Sequence, residues 1–187
     1  MTDATKQKIA DAVIRSLGSK PLNKLTIGEI SEMAGVNRQT FYYHFDDIES
    51  LLAYMVDKKV ASVEEETPFG QNFQAEITKL LKVATDENFV IVHAYRSLEA
   101  RVVDNLIAHL LYDEVKAFVL SGSVGLDVGK SDLENCIKLW VLSLKGLFLY
   151  YLSVYQKISL NEFALWMSIL LKGVSRKSVI NAANSHH

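Results

Sequence analysis

The chain has 187 residues, 49% hydrophobic and 22% charged, with a formal net charge of −2. That is enough apolar material for one or two buried cores, which excludes a disordered chain, and the charge balance excludes attraction to nucleic acid through bulk charge alone. Nine glycines, only two prolines and long segments of helical apolar periodicity without strand-like alternation predict an all-α protein. The single cysteine, Cys136, excludes an intrachain disulfide and fits a reducing cytoplasm. It reads as a small buried hydrophobe in an apolar helix. Met1 to Lys8 is polar, so no signal peptide is expected there.

In chain order, residues 4–18 predict a first helix with Ile9, Ala12, Val13 and Leu17 on one face and Gly18 as its stop. Ser19 to Leu25 reads as a loop whose Lys20 and Lys24 can reach phosphate oxygens or stay solvated. Thr26 and Glu29 have capping-box spacing, and Ile27, Ile30, Met33 and Ala34 are expected to form the buried stripe of a second helix. Gly35 is placed to end it in the left-handed conformation, and Val36 plugs the corner. Asn37 caps a third helix over 38–44.

Phe41 and Phe45, four residues apart, face inward in this reading, leaving Arg38, Gln39, Thr40, Tyr43 and His44 outside. Those residue types suit the major groove. Arginine forks onto guanine O6/N7, glutamine pairs with adenine N6/N7, and the threonine methyl packs on thymine. An ordinary helical hairpin with a polar outer face is the alternative. Around this motif, Lys6, Lys8, Arg15, Lys20, Lys24 and Arg38 slightly outnumber Asp3, Asp11, Glu29 and Glu32, a weakly basic footprint.

The string Thr-Ile-x-x-Ile-x-x-x-Ala-Gly-Val-Asn-x-x-Thr-Phe-Tyr-x-His-Phe, followed by Leu51-Leu52, resembles the N-terminal domain of TetR-type transcriptional regulators over about the first 55 residues. The resemblance implies base contacts from Arg38, Gln39, Thr40 and Tyr43, and DNA-backbone contacts from Thr26, Tyr42 and His44, with Lys24 added from the preceding loop. Such proteins usually carry a lysine where this chain has Ile48, so those backbone contacts are expected to do more of the positioning. The Arg-Gln-Thr-Phe-Tyr recognition helix also looks like a subset of the family that includes activators of dihydroxyacetone-kinase operons.

Asp46, Asp47 and Glu49 favour a helix start, and Leu51, Leu52, Met55, Val56 and Val60 carry a long connector helix to about Glu66. Glu64 to Glu66 reads as its solvated end and Thr67-Pro68-Phe69-Gly70 as its stop. Further helices are expected near 72–84, 87–97, 99–120, 132–155 and 160–173, with a long glycine-containing loop over 121–131. Its Gly129-Lys130-Ser131 is not a phosphate-binding loop, because Val124 stands where glycine is required and no strand is predicted before it. The helices over 132–155 and 160–173 are apolar around most of their girth, which predicts a homodimer through them; a monomer with an unusually apolar core is the alternative. The apolar run Leu139 to Tyr155 is interrupted by Lys145 and preceded by Lys138, so it is read as a buried helix and no membrane is expected.

The expected division is therefore a DNA-binding domain over 1–46, a connector over 47–67, an effector-binding and dimerisation domain over 68–175, and a flexible tail over 176–187. His186-His187 reads as a tag remnant rather than a metal site. No paired carboxylates, metal-ligand spacing or nucleophile elbow suggests an enzyme, and no cofactor is expected. His93 and His109 read as structural. Phe89, His93, Tyr95, Tyr112, Trp140, Lys145 and Tyr150 supply aromatic walls and polar handles for a small-molecule effector pocket, or equally are core aromatics with a snorkelling lysine.

The function expected is a cytoplasmic, ligand-responsive regulator, a repressor, that binds a near-palindromic operator as a homodimer. An activator or co-regulator with a protein effector is the runner-up. A helical enzyme or binding protein with a vestigial DNA-binding domain is the reading from another class.

Overall fold

The computed structural model describes residues 2–66, 73–155, 157–171 and 174–184, all helices and their connections, with no strand among them. Ten α-helices follow in order: α1 Thr2–Ser16, α2 Ile27–Ala34, α3 Arg38–His44, α4 Ile48–Glu66, α5 Phe73–Thr85, α6 Val90–Ser97, α7 Ala100–Ser123, α8 Lys130–Val154, α9 Leu160–Leu171 and α10 Val174–Asn184. A single 3-10 turn, Leu22–Lys24, lies between α1 and α2. The all-α class read from the sequence holds. The expected stop at Thr67 to Gly70, the side chains of Glu64 to Glu66, and His186-His187 lie outside the described residues.

Two compact units emerge. One comprises residues up to 68 together with 83–106, and the other 69–82 with 107 onward. The end of α5, α6 and the first turns of α7 therefore belong with the N-terminal helices, which sequence periodicity did not indicate. In the first unit α1 packs on α2, α3 and α4, and α6 packs on α4 and on the 3-10 turn. Ile9, Val13, Ile30, Phe41, Leu51, Leu52 and Val56 are fully buried there. Lys6 lies 5.6 Å from the Phe45 ring and 5.4 Å from Tyr54, and Asp3 pairs with Lys58 at 3.1 Å, so the N-terminal end of α1 is tied to its neighbours.

The buried stripe of α2 differs from expectation at one position. Met33 is 40% exposed, while Ser31 is 2% exposed. Residues 27, 30, 31 and 34 share the inward face of a 3.6-residue helix, and Met33 falls more than a quarter-turn away from it. The Ser31 hydroxyl is buried with no hydrogen-bond partner among the described residues. Burying an unsatisfied hydroxyl costs about 1–3 kcal/mol, and alanine is the better helix former. Ser31→Ala is accordingly expected to stabilise the protein by about 1 kcal/mol, read as a higher midpoint in urea unfolding; an unchanged or lower midpoint would show that the hydroxyl is satisfied.

The second unit is built around α8. Cys136, Ile137, Trp140, Val141, Leu144, Phe148, Tyr151 and Leu152 form its buried face. Tyr151 stacks on Phe163 of α9 at 4.6 Å, and Phe118 of α7 meets Trp140 edge-on at 5.7 Å. The expected flexible tail is instead α10, which packs on α8. Val179 is fully buried, and the Trp140 indole N–H donates to the Ser178 hydroxyl at 3.2 Å. Arg176 also reaches the Gly122 carbonyl at 3.5 Å, so a segment that reads as polar is held by contacts to distant residues.

Helix α7 also runs to Ser123, so the expected loop shrinks to residues 124–129. Gly129 caps the start of α8, and the preceding element is a helix, in keeping with the rejection of a phosphate-binding loop. Helix α8 is long and apolar enough to cross a membrane by length and composition, yet its inward face is the core of this unit.

Candidate nucleic-acid interface

The site is held in place from below by caps. Thr26 accepts a hydrogen bond from the Glu29 amide at 3.3 Å, and Glu29 Oε2 accepts from the Thr26 amide at 3.0 Å and from its hydroxyl at 2.8 Å. Lys20 Nζ lies 2.5 Å from the other Glu29 oxygen. The Lys20 ammonium foremost, then the two Thr26 donors, hold the Glu29 carboxyl down to about 2 from the usual 4.5.

A carboxyl depressed on folding contributes stability above its unfolded pKa and loses that contribution as pH falls through the folded one. The stability difference between the protein and its Glu29→Gln variant should therefore be largest above pH ~4.5 and shrink progressively towards pH ~2. Thermal melts across that range check this; a difference that does not change with pH would contradict it.

At its other end α2 stops at Gly35, whose φ of 67° and ψ of 34° are left-handed. The amide of Val36 reaches back to the Ser31 carbonyl at 2.9 Å, closing the turn. Arg15 of α1 donates to the Met33 carbonyl at 2.9 Å. Sequence spacing gave no sign of this brace, because it joins residues distant in the chain.

Asn37 then caps α3, its side-chain oxygen accepting from the Thr40 amide at 2.7 Å and the Thr40 hydroxyl at 3.0 Å. Phe41 and Phe45 are the inward residues, 0% and 5% exposed. At about 100° per residue, Tyr43 stands opposite them, with Gln39 and Thr40 to either side of it. Arg38 and Tyr42 share one flank and His44 the other. Exposure follows that wheel: Tyr43 is 77% and Tyr42 56% exposed, Arg38 and Gln39 are exposed, and Thr40 and His44 are half-buried. The Tyr42 ring rests edge-on against Phe41 at 5.8 Å, and Tyr43 meets His44 edge-on at 5.0 Å. Two rigid aromatics thus flank the polar side chains.

The residues expected at the DNA backbone are placed unequally. Lys24 is exposed at the end of the 3-10 turn. Both Thr26 donors are engaged by Glu29, so a phosphate contact from this residue requires one of them to be released. The start of α4 is capped by Asp47, which accepts from the Ser50 amide at 2.7 Å, and Glu49 pairs with Arg101 at 2.7 Å. Ile48 is half-buried between these acids and offers nothing to a phosphate.

Of the residues considered for an effector pocket, Phe89, His93 and Tyr95 fall in the first unit and Tyr112, Trp140, Lys145 and Tyr150 in the second. Phe89 is buried, Tyr95 half-buried, and His93 Nε2 lies 2.9 Å from the Glu87 carbonyl. Trp140 is buried in the α8 core, Lys145 half-buried, and Tyr112 and Tyr150 exposed. The second unit holds an open cleft of about 350 Å³ lined by Tyr150, Ile158, Glu162, Phe163 and Trp166, which takes only Tyr150 from that set. Glu162 is already engaged there, accepting from the Ser159 hydroxyl at 2.7 Å.

A short capped helix displaying arginine, glutamine and tyrosine to solvent, seated on a first helix by a glycine turn, defines a helix-turn-helix DNA-binding protein. Residues 9–55 match the family model described as bacterial regulatory proteins, tetR family. The match spans α2, α3 and the start of α4, and over those residues the chain is similar to the tetR-family regulators.

It is 26% identical over 119 residues to the HTH-type dhaKLM operon transcriptional activator DhaS of Lactococcus lactis subsp. lactis (strain IL1403), a match covering 60% of this chain and 63% of that relative. Among solved structures it is similar to the dihydroxyacetone kinase operon activator DhaS, with a TM-score of 0.61 at 17% identity over 92% of this chain and 97% of that one. It is also similar to RolR in complex with resorcinol, with a TM-score of 0.59 at 16% identity over 98% and 95%. Those structural likenesses concern the fold.

Proposed function

We propose that the chain binds a near-palindromic operator as a homodimer, with α3 of each copy in successive major grooves, and that an effector alters operator occupancy and hence transcription. The observation that carries this is the outer face of α3, where Arg38, Gln39, Thr40 and Tyr43 are presented on a capped, rigidly seated helix. Tyr42, His44, Lys24 and Thr26 flank it as candidates for phosphate contact. The reading places the protein in the cytoplasm with the DNA, and neither the family nor the site calls for catalysis.

A homodimer is supported by an apolar face with no covering in one copy. Leu139, Leu142 and Tyr150 on α8 are 57%, 61% and 51% exposed, and Leu165, Trp166 and Ile169 on α9 are 47%, 46% and 64% exposed. Leu139, Leu142 and Tyr150 are three and eight residues apart, and Ile169 follows Leu165 by four and Trp166 by three, which puts one stripe on each helix. Gly146 lies within the α8 stripe with open space where a side chain would be, which allows close approach of a second helix. Apolar stripes on two helices suit a four-helix contact between identical copies.

The effector is proposed to be a small molecule, as in the RolR complex with resorcinol, and of the residues considered for its pocket Tyr150 borders the open cleft of the second unit. Its action follows from spacing. Half-sites lie about 34–36 Å apart, so an effector preferring a differently spaced dimer lowers operator affinity by its preference between the two states. Repression is the sign this scheme gives directly. Activation with a partner protein as effector is the second reading, favoured by the likeness to DhaS, which is described as an activator.

Selection of genomic fragments by the purified full-length protein, followed by a reporter driven by the recovered promoter, tests these readings together. An inverted repeat whose reporter rises when the regulator is removed supports repression, and a fall supports activation. Failure to enrich any sequence would refute operator binding.

A further inference from the structure

We propose that Gly28 is a positioning residue for base reading: its missing side chain is the space in which the Arg38 guanidinium lies, so it sets where Arg38 meets the operator. The inference rests on α3 being the base-reading helix. A β-carbon built on Gly28 would fall 2.5 Å from Arg38 Nη2, closer than real β-carbon contacts come, and 3.1 Å from both Nε and Cζ, so the guanidinium, the movable end of its side chain, would have to shift. The guanidinium thus lies against the first turn of α2.

Electrostatics does not account for that position. The first turn of a helix is the positive end of its dipole and repels a cation. The nearest carboxylate in that turn, Glu29, is already taken by Lys20 and by both Thr26 donors. No hydrogen bond or ion pair ties Arg38 to another described residue. Shape is what remains. The backbone of α2 supports one side of the guanidinium and leaves its fork of donors free for a planar acceptor such as guanine O6/N7. A methyl group at position 28 pushes the guanidinium outward, away from α2, and bidentate contacts do not tolerate such a displacement.

The test is a double-mutant cycle on the selected operator with full-length protein, using Gly28→Ala, Arg38→Ala and the pair. Alanine is a better helix residue than glycine, so the Gly28→Ala melting temperature should be no lower than that of the parent. Gly28→Ala is expected to weaken operator binding about tenfold in the presence of Arg38 and to have no effect in its absence. In selection from randomised half-sites, Gly28→Ala should lose preference at the same base pair that Arg38→Ala loses, with the other positions unchanged. Equal weakening in both backgrounds would mean that the new methyl meets the DNA itself, and unchanged binding would mean that Arg38 needs no support from α2; either overturns the proposal while leaving operator binding intact. A parent protein that selects no sequence overturns the proposal and the reading of α3 together.

Discussion

Replacing Arg38 with alanine is expected to weaken binding to the selected operator by about 1–3 kcal/mol, roughly 5- to 150-fold, and to relax the preference at one base pair in each half-site. The estimate follows from position. Arg38 is exposed at the first residue of α3, ahead of Gln39 on a helix whose start is fixed by the Asn37 cap. A bidentate contact to guanine is lost on truncation, whereas the core beneath α3 is not touched, because its buried side chains are Phe41 and the following Phe45. Affinity titrations on matched and single-substituted duplexes, with a thermal melt as control, read both effects. Lys24→Ala provides the contrast. A phosphate contact carries no sequence information, so that variant should weaken all duplexes alike and lower the salt slope by about one unit. If Arg38→Ala bound the operator as tightly as the parent, α3 would not be the reading element.

The second large effect belongs to the apolar stripes of α8 and α9. Leu142→Glu combined with Ile169→Glu places charge on the two most exposed apolar side chains of those stripes, 61% and 64% exposed in one copy. Solvent tolerates a glutamate at either position in a monomer, and a buried interface does not, since an unpaired buried charge costs several kcal/mol. The double variant should therefore fold, sediment as a monomer, and bind the full operator about 100-fold or more weakly, because the second half-site is no longer engaged intramolecularly. Sedimentation and operator titration on the same preparation check this. A variant that stays dimeric places the interface elsewhere on the molecule.

The parts of this account that were legible in the sequence are the local ones. Thr26 with Glu29, Gly35 in the left-handed region, Asn37 as cap and the four-residue spacing of Phe41 and Phe45 are all dictated by neighbours within one turn, and each stands where expected. The rest depends on residues far apart in the chain. The Arg15 contact to the Met33 carbonyl, the Glu49 pair with Arg101 and the Arg38 guanidinium over Gly28 have no periodic signature. Met33 was drawn into the buried stripe because it is apolar, although the inward position belongs to Ser31. Helix α10 does not stand out from a polar segment because its anchors, among them buried Val179, the Trp140 hydrogen bond to Ser178 and the Arg176 contact to the Gly122 carbonyl, join residues far apart in the chain. The division after residue 68 lies within one residue of the expected one, whereas those at 82/83 and 106/107 have no signal in the sequence, because α5 and α7 run straight through them.

Protection of guanine N7 from methylation is the measurement that tests the central claim most directly, since N7 is exposed only in the major groove. With full-length protein on its selected operator, the account predicts protected guanines in two half-sites one helical turn apart, about 10–10.5 base pairs, and loss of that protection in Arg38→Ala. Unprotected major-groove guanines at saturating protein, or protection that persists unchanged in Arg38→Ala, would contradict it.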